Sequence, residues 1–264
     1  MASKTGGAMM ERWTGAGWKW GLAGALFLSI LPAFHRTPAD LHSEYVKYAS
    51  GKDSITAYLV YPERRDPAPA VIVIHEIFGL TPWVRSMADS LATAGYVAIV
   101  PDLLSRRGGT PATDDSSRKL IMTLPPDSVT ADLDATAGYL KSLKAVRADR
   151  LGVIGFCWGG GQSFRYATNN AALRAFVVCY GPSPDTATVA RVKAKGLGFY
   201  GENDARIDAG LPDLAAAVRR HAVDYRYTVY PGVGHGFFRT RENPAVADSA
   251  WRAVVSFFRA QLGK

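Results

Sequence analysis

Residues 150–168 read Arg-Leu-Gly-Val-Ile-Gly-Phe-Cys-Trp-Gly-Gly-Gly-Gln-Ser-Phe-Arg-Tyr-Ala-Thr, and this stretch decides the fold. Its first half, Leu151–Phe156, is a short apolar run with β-branched residues, the pattern of a buried strand. From Trp158 onward the strand pattern is gone and a helix can begin. Cys157 stands between them, with Gly155 and Gly159 two residues to either side. That is the layout of a nucleophile elbow, Gly-x-nucleophile-x-Gly between strand and helix, with Cys where Ser is usual. The bend is so sharp that its central residue is strained and side chains two positions away would collide, which is why glycines flank it. The same geometry lifts the sulfur above the sheet edge and turns the Trp158 N–H toward a developing oxyanion. A bland alternative is a core cysteine in a Gly-rich turn. The strand before it, the helix after it, and an Asp and a His further along in the required order favour the elbow.

Outward from the elbow, strand-like and helix-like segments alternate. Alternating residues between Ser43 and Tyr61 predict an antiparallel pair at a sheet edge. Val71–His75, Tyr96–Pro101, Arg174–Tyr180, Leu197–Tyr200 and Tyr225–Tyr230 are short apolar strands, most of them continuous enough for a sheet covered on both faces. Helices are predicted from Pro82 to about Ala94, over about 127–143, from Gly210 to His221, and from an Asn243 cap to about Leu262. Thr110–Pro126 is polar and yields no element. The pattern predicts an α/β protein with a doubly wound, mostly parallel sheet flanked by helices. In such a sheet, groups at the carboxyl ends of strands share one crevice. Glu76, Arg106, Cys157, Asp204 and His235 all fall there.

The chain has 264 residues, 48% hydrophobic and 20% charged, which suits one large domain with a packed core and excludes wholesale disorder. Residues 1–39 differ from the rest. Lys4, Arg12 and Lys19 precede the uncharged run Gly21–Phe34, and Thr37-Pro38-Ala39 resembles a small-residue cleavage site. They read as a signal peptide or, uncleaved, an N-terminal anchor, followed by a catalytic domain over 40–264. A periplasmic or secreted protein is expected, with membrane association only through residues 1–39. The net charge is +8, of which residues 1–39 supply Lys4, Arg12, Lys19 and Arg36 against Glu11, leaving +5 for 40–264. No Lys/Arg run is dense enough for nucleic acid, and a mild attraction for small anions follows. The two cysteines, Cys157 and Cys179, are not expected to pair, since one lies at the elbow and the other inside an apolar run.

A thiol attacks well only as thiolate, so a base must lie beside Cys157. His235, between Gly234 and Gly236 on the loop after the last strand, is that candidate. Asp204 would orient its ring, with Glu202 and Asp208 as rivals. The order nucleophile, acid, His is that of α/β-hydrolases.

The stretches His75-Glu76-Ile77-Phe78-Gly79, Pro101-Asp102-Leu103, Gly155-Phe156-Cys157-Trp158-Gly159-Gly160 and Gly234-His235-Gly236-Phe237 resemble the dienelactone hydrolase family, over most of 43–264. The resemblance implies an α/β-hydrolase fold and a triad of Cys157, His235 and Asp204. It implies that Glu76 interacts with the resting thiol and helps form the thiolate when substrate binds, and that the N–H groups of Ile77 and Trp158 hold the oxyanion. It further implies that Arg106 and Arg239 grip a substrate carboxylate, a task suited to the guanidinium fork. The expected activity is opening of an ester or lactone through a thioester acyl-enzyme, by a monomer acting on a small molecule, with no metal and no cofactor. Alternatives are a broad carboxylesterase without a carboxylate requirement, a non-catalytic binding member of the fold, and a thiol redox sensor.

Overall fold

The structure, a computed structural model, describes residues 40–263; the leader-like segment 1–39 lies outside them. Two antiparallel strands come first, β1 (Leu41–Ser50) and β2 (Asp53–Pro62), joined by a turn in which Gly51 takes a φ of 61°. β3 (Ala68–Ile74), α1 (Pro82–Thr93) and β4 (Val97–Pro101) follow. Then come α2 (Asp114–Ile121), α3 (Pro126–Ser142), β5 (Val146–Phe156) and α4 (Trp158–Asn169). β6 (Ala175–Cys179), β7 (Lys195–Gly201), α5 (Ala205–Asp208), α6 (Leu211–Arg220) and β8 (Tyr225–Tyr230) lead to α7 (Phe237–Thr240) and α8 (Pro244–Leu262).

Local chemistry sets many of these boundaries. Thr81 caps α1 by accepting the Val84 N–H at 3.4 Å, and Pro82 fills the first turn, where a missing N–H costs nothing. Asn243 and Pro244 repeat the device at α8. Helix α2 lies in the polar segment that yields no element from sequence. It is capped by Thr113, which accepts the Ser116 N–H at 3.3 Å, and Asp114 and Asp115 favour its positive end. It buries only Ser117 and Ile121, too little for an apolar stripe to be read from sequence. Strand β5 begins five residues before the expected Leu151, because Val146 pairs with Ala68 beyond the apolar run.

The eight strands lie in the order β1-β2-β4-β3-β5-β6-β7-β8. β1–β2 and β2–β4 are antiparallel and the remaining pairs are parallel. From β3 the chain steps outward to β4 and then returns to the other side of β3 with β5. The direction of winding therefore reverses between β3 and β5, and a crevice opens at their carboxyl ends. Glu76 follows the first of these strands and Cys157 the second. Both faces of the sheet are covered. Ile72, Ile99 and Val153 pack into one apolar layer, and Val71, Val100 and Ile154 into the other. Each such fully buried side chain contributes about 1.5–3 kcal/mol, and together they hold the strand ends rigid.

Candidate active site

The elbow is built as steric necessity requires. Cys157 takes φ 56° and ψ −121°, a conformation that strains any residue but glycine. A Cβ on Gly155 would stand 1.8 Å from the Gly159 carbonyl oxygen, and one on Gly159 would stand 2.4 Å from that of His75. Neither position accepts a side chain without breaking the strand-to-helix bend. The Cys157 N–H donates to the Cys179 carbonyl at 3.0 Å, which fixes the bend to β6. Both cysteines are free thiols.

His235 is brought to the sulfur by the loop after β8. Gly201 lets that loop close on β7, since a Cβ there would lie 2.6 Å from the Val233 carbonyl oxygen. The Asn203 N–H donates to that same carbonyl at 3.0 Å. The ring nitrogen Nε2 lies 3.1 Å from Cys157 Sγ, and Nδ1 lies 2.5 Å from Asp204 Oδ2. A carboxylate only accepts, so Nδ1 carries a proton and, in the neutral ring, Nε2 is left to accept the thiol proton. Tyr180 packs its ring edge-to-face on the imidazole at 5.1 Å. Of the three acids considered, Asp204 is buried and touches the imidazole. Glu202 is exposed and accepts the Gly232 N–H instead, at 3.0 Å. Asp208 has its carboxyl raised by burial and by the neighbouring Asp204 charge.

Burial pushes the Cys157 thiol above its ordinary value. The N–H of Trp158 is the strongest opposing influence, and the N–H of Ile77 adds to it from a separate chain segment. The charge of Glu76 raises the thiol further, and the exposed Arg206 lowers it. Glu76 is 5% exposed, and burial pushes its carboxyl up to about 7, against the pull of Arg239. Arg239 Nη1 donates to Glu76 Oε2 at 3.3 Å, and its guanidinium lies 4.3 Å over the Phe78 ring. The side chain that hydrogen-bonds the resting sulfur is thus His235, while Glu76 reaches the sulfur by charge and is paired to Arg239.

Arg106 does not join this group. Its guanidinium donates to both carboxylate oxygens of the buried Asp132, to Asp53, and to Ser50 at 3.0 Å. The guanidinium expected to grip a substrate carboxylate is thus paired within its own chain, to Asp132, Asp53 and Ser50, and is not brought to the Cys157 group. Residues not singled out from sequence also shape the site. His75 is fully buried, donates from Nδ1 to the Glu76 carbonyl at 2.7 Å, and accepts the Leu103 N–H on Nε2 at 3.2 Å. Burial lowers its basicity against the opposing pull of Asp102 and the Glu76 carbonyl, and the Leu103 N–H, donated to Nε2, requires that nitrogen to carry no proton. Arg206, two residues past Asp204, has no ion pair among the described residues. Its place in the Asp204 loop is a signal available in the sequence.

A mostly parallel sheet with this winding, a strained Cys between strand and helix, and chemistry-bearing loops at the carboxyl edge define an α/β-hydrolase. The chain belongs to the dienelactone hydrolase family, whose model matches residues 55–262. It is 32% identical over 248 residues to an Escherichia coli K12 protein assigned as a carboxymethylenebutenolidase, covering 87% of this chain and 91% of that one. It is 32% identical over 235 residues to a Bradyrhizobium protein assigned as a 2-oxo-3-(5-oxofuran-2-ylidene)propanoate lactonase, covering 83% of this chain and 94% of the relative. A crystal structure from Klebsiella pneumoniae, of a protein assigned as a dienelactone hydrolase, superposes with a TM-score of 0.77 at 29% identity, over 83% of this chain and 98% of the other. The chain is accordingly a hydrolase of the kind this family comprises.

Proposed function

We propose that the protein opens a small ester or lactone carrying a carboxylate, with Cys157 as nucleophile, His235 as base and Asp204 as the group that orients it. The observation that carries this reading is the continuous path from sulfur to imidazole to buried carboxylate, 3.1 Å and 2.5 Å long, joining residues 78 and 31 positions apart. The sulfur gives its proton to His235 Nε2 as it bonds to the carbonyl carbon. The oxyanion forms beside the N–H groups of Ile77 and Trp158. The carbon–oxygen bond then breaks, and the imidazolium returns the proton to the departing alkoxide, which in a lactone stays tethered. Water attacks the thioester with His235 taking its proton, and the thiolate leaves with that proton, restoring the enzyme.

Arg239 is the proposed carboxylate anchor. On binding it would exchange Glu76 for the substrate, and the Glu76 carboxylate, freed of the cation that holds its basicity down, would become a stronger proton acceptor beside the thiol. The Bradyrhizobium relative, named for a propanoate-bearing lactone, supports a substrate of this charge. The engagement of Arg106 by Asp132 favours a second reading, a carboxylesterase indifferent to that charge. Residues 1–39 are proposed to carry the enzyme out of the cytoplasm, as signal or anchor.

Turnover of a carboxylated lactone and of a neutral ester of equal size tests both readings. Cys157→Ala or full alkylation is expected to abolish turnover of both. Arg239→Ala is expected to lower kcat/KM for the carboxylated substrate by about 10-fold or more and to spare the neutral one. An equal effect on both substrates favours the indifferent esterase.

A further inference from the structure

The loop from His75 to Leu80 carries Glu76 and the Ile77 N–H, and it is short, irregular and close to the sulfur. Something must hold it, because an oxyanion donor works only if it is already in place when charge develops. Both of its ends are tied to the segment after β4. At one end, the Leu103 N–H donates to His75 Nε2 at 3.2 Å. At the other, the Leu80 N–H donates to Thr110 Oγ1 at 2.8 Å. Gly79, with a φ of 76°, presses against that same side chain, and a Cβ on it would stand 2.3 Å from Thr110 Oγ1.

Thr110 is itself locked by Asp102, which is 5% exposed. Its hydroxyl has one proton, and a carboxylate can only accept, so the proton points to Asp102 Oδ1 at 2.9 Å. A lone pair of the hydroxyl oxygen is thereby turned toward the Leu80 N–H. The Thr110 N–H donates to Asp102 Oδ2 at 2.8 Å, and the Leu104 N–H to Oδ1 at 3.0 Å. The return of the chain needs two left-handed residues in succession, supplied by Gly108 at φ 94° and Gly109 at φ 92°.

We infer that Thr110, locked by Asp102, is a positioning residue for acyl transfer: it fixes the oxyanion loop and with it the Ile77 N–H. The inference rests on the reading of Cys157 as nucleophile. It also gives a role to the Asp102 and Gly108-Gly109-Thr110 positions, which the triad leaves without one.

The test uses the full-length chain with p-nitrophenyl acetate as ester and iodoacetamide as alkylating probe. Alkylation consumes the same thiolate but builds no oxyanion. Thr110→Val removes the hydroxyl at nearly constant shape. It is expected to lower kcat about 10- to 100-fold, the scale of a displaced oxyanion donor, with KM held within about twofold. The alkylation rate at its high-pH plateau is expected to hold within about twofold, since that step has no developing oxyanion. Thr110→Ser keeps the hydroxyl and should restore most of kcat. If circular dichroism shows the Val variant unfolded, Thr110→Ala carries the same comparison. An unchanged kcat, an equal fall in plateau alkylation, or a Ser variant as slow as the Val variant overturns the inference. Continued hydrolysis by fully alkylated wild type would instead overturn the nucleophile reading, so the two failures are separate.

Discussion

Glu76 shows how much of the site turns on the surroundings of one carboxyl. It is 5% exposed, has one cation 3.3 Å away, and is raised from the ordinary 4.5 to about 7 by burial. The unfolded chain therefore releases this proton more readily than the folded one. Above about 4.5 each rise in pH favours the unfolded state, and the penalty is complete above about 7. Glu76→Gln is accordingly expected to stabilise the protein at pH 8, by up to about 3 kcal/mol, and to bring no comparable gain at pH 4. Urea unfolding at the two pH values checks this, and an equal change at both would refute it. A group that destabilises the fold yet titrates near neutrality beside a thiol suits function better than structure. At this scale the sequence is informative where a constraint is local. Gly155 and Gly159 announce the bend because no side chain fits there. The choice among Glu202, Asp204 and Asp208 is not legible, because which carboxylate faces the imidazole depends on how the loop after β7 folds over β8. Arg106 reads the same in sequence whether free or paired, and its partners lie 26 and 53 positions away.

Arg106 also governs how elements are joined. Ser50 ends β1, Asp53 begins β2, Asp132 lies in α3, and Arg106 follows β4; the guanidinium ties all four segments together. Tyr48 adds a bond from β1 to Thr136 of α3 at 2.7 Å. The antiparallel hairpin is thus fastened to the rest of the sheet's cover by charge as well as by strand pairing. Asp132 is 1% exposed, so removing its partner leaves a buried carboxylate uncompensated. Arg106→Met is expected to cost about 3–5 kcal/mol of stability, most of it recovered by adding Asp132→Leu. KM for a carboxylated lactone is expected to stay unchanged. Thermal unfolding and steady-state kinetics on the single and double variants measure both, and a raised KM at wild-type stability would assign Arg106 the substrate role instead. Most elements were legible for the same reason that this staple was not. Buried parallel strands such as Val71–Ile74 and Tyr96–Pro101 declare themselves by continuous apolarity, a property of the segment alone. Helix α2 buries one face too small to leave a period; its start is set by the Thr113 cap, and Asp114 in its first turn is close enough to raise the Glu76 carboxyl.

The whole molecule adds a field to these contacts. It carries 31 Lys and Arg against 23 Asp and Glu, and residues 40–264 retain a net +5 after the charges of residues 1–39 are set aside. The winding of the sheet collects the reactive groups at one edge, where Arg206 and Arg239 stand as cations, the first without an ion pair among the described residues. An anionic substrate approaching that edge is attracted by both the net charge and the local pair, and a neutral ester of the same size is not. Salt weakens the attraction over distances beyond the screening length, which falls from about 20–30 Å near 0.01–0.02 M to about 4–5 Å at 0.5 M. Contact distances to Arg239 stay inside that length, so a part of the preference survives. Raising the salt from about 0.02 M to about 0.5 M is therefore expected to lower kcat/KM roughly threefold or more for a carboxylated lactone, chiefly through KM, and to leave a neutral ester nearly unchanged. The preference that remains at high salt should then vanish in Arg239→Ala, because it rests on direct contact and not on the field. Steady-state kinetics on the two substrates across the salt series make the measurement. Equal salt responses for both would mean that charge has no part in how this crevice selects what it opens.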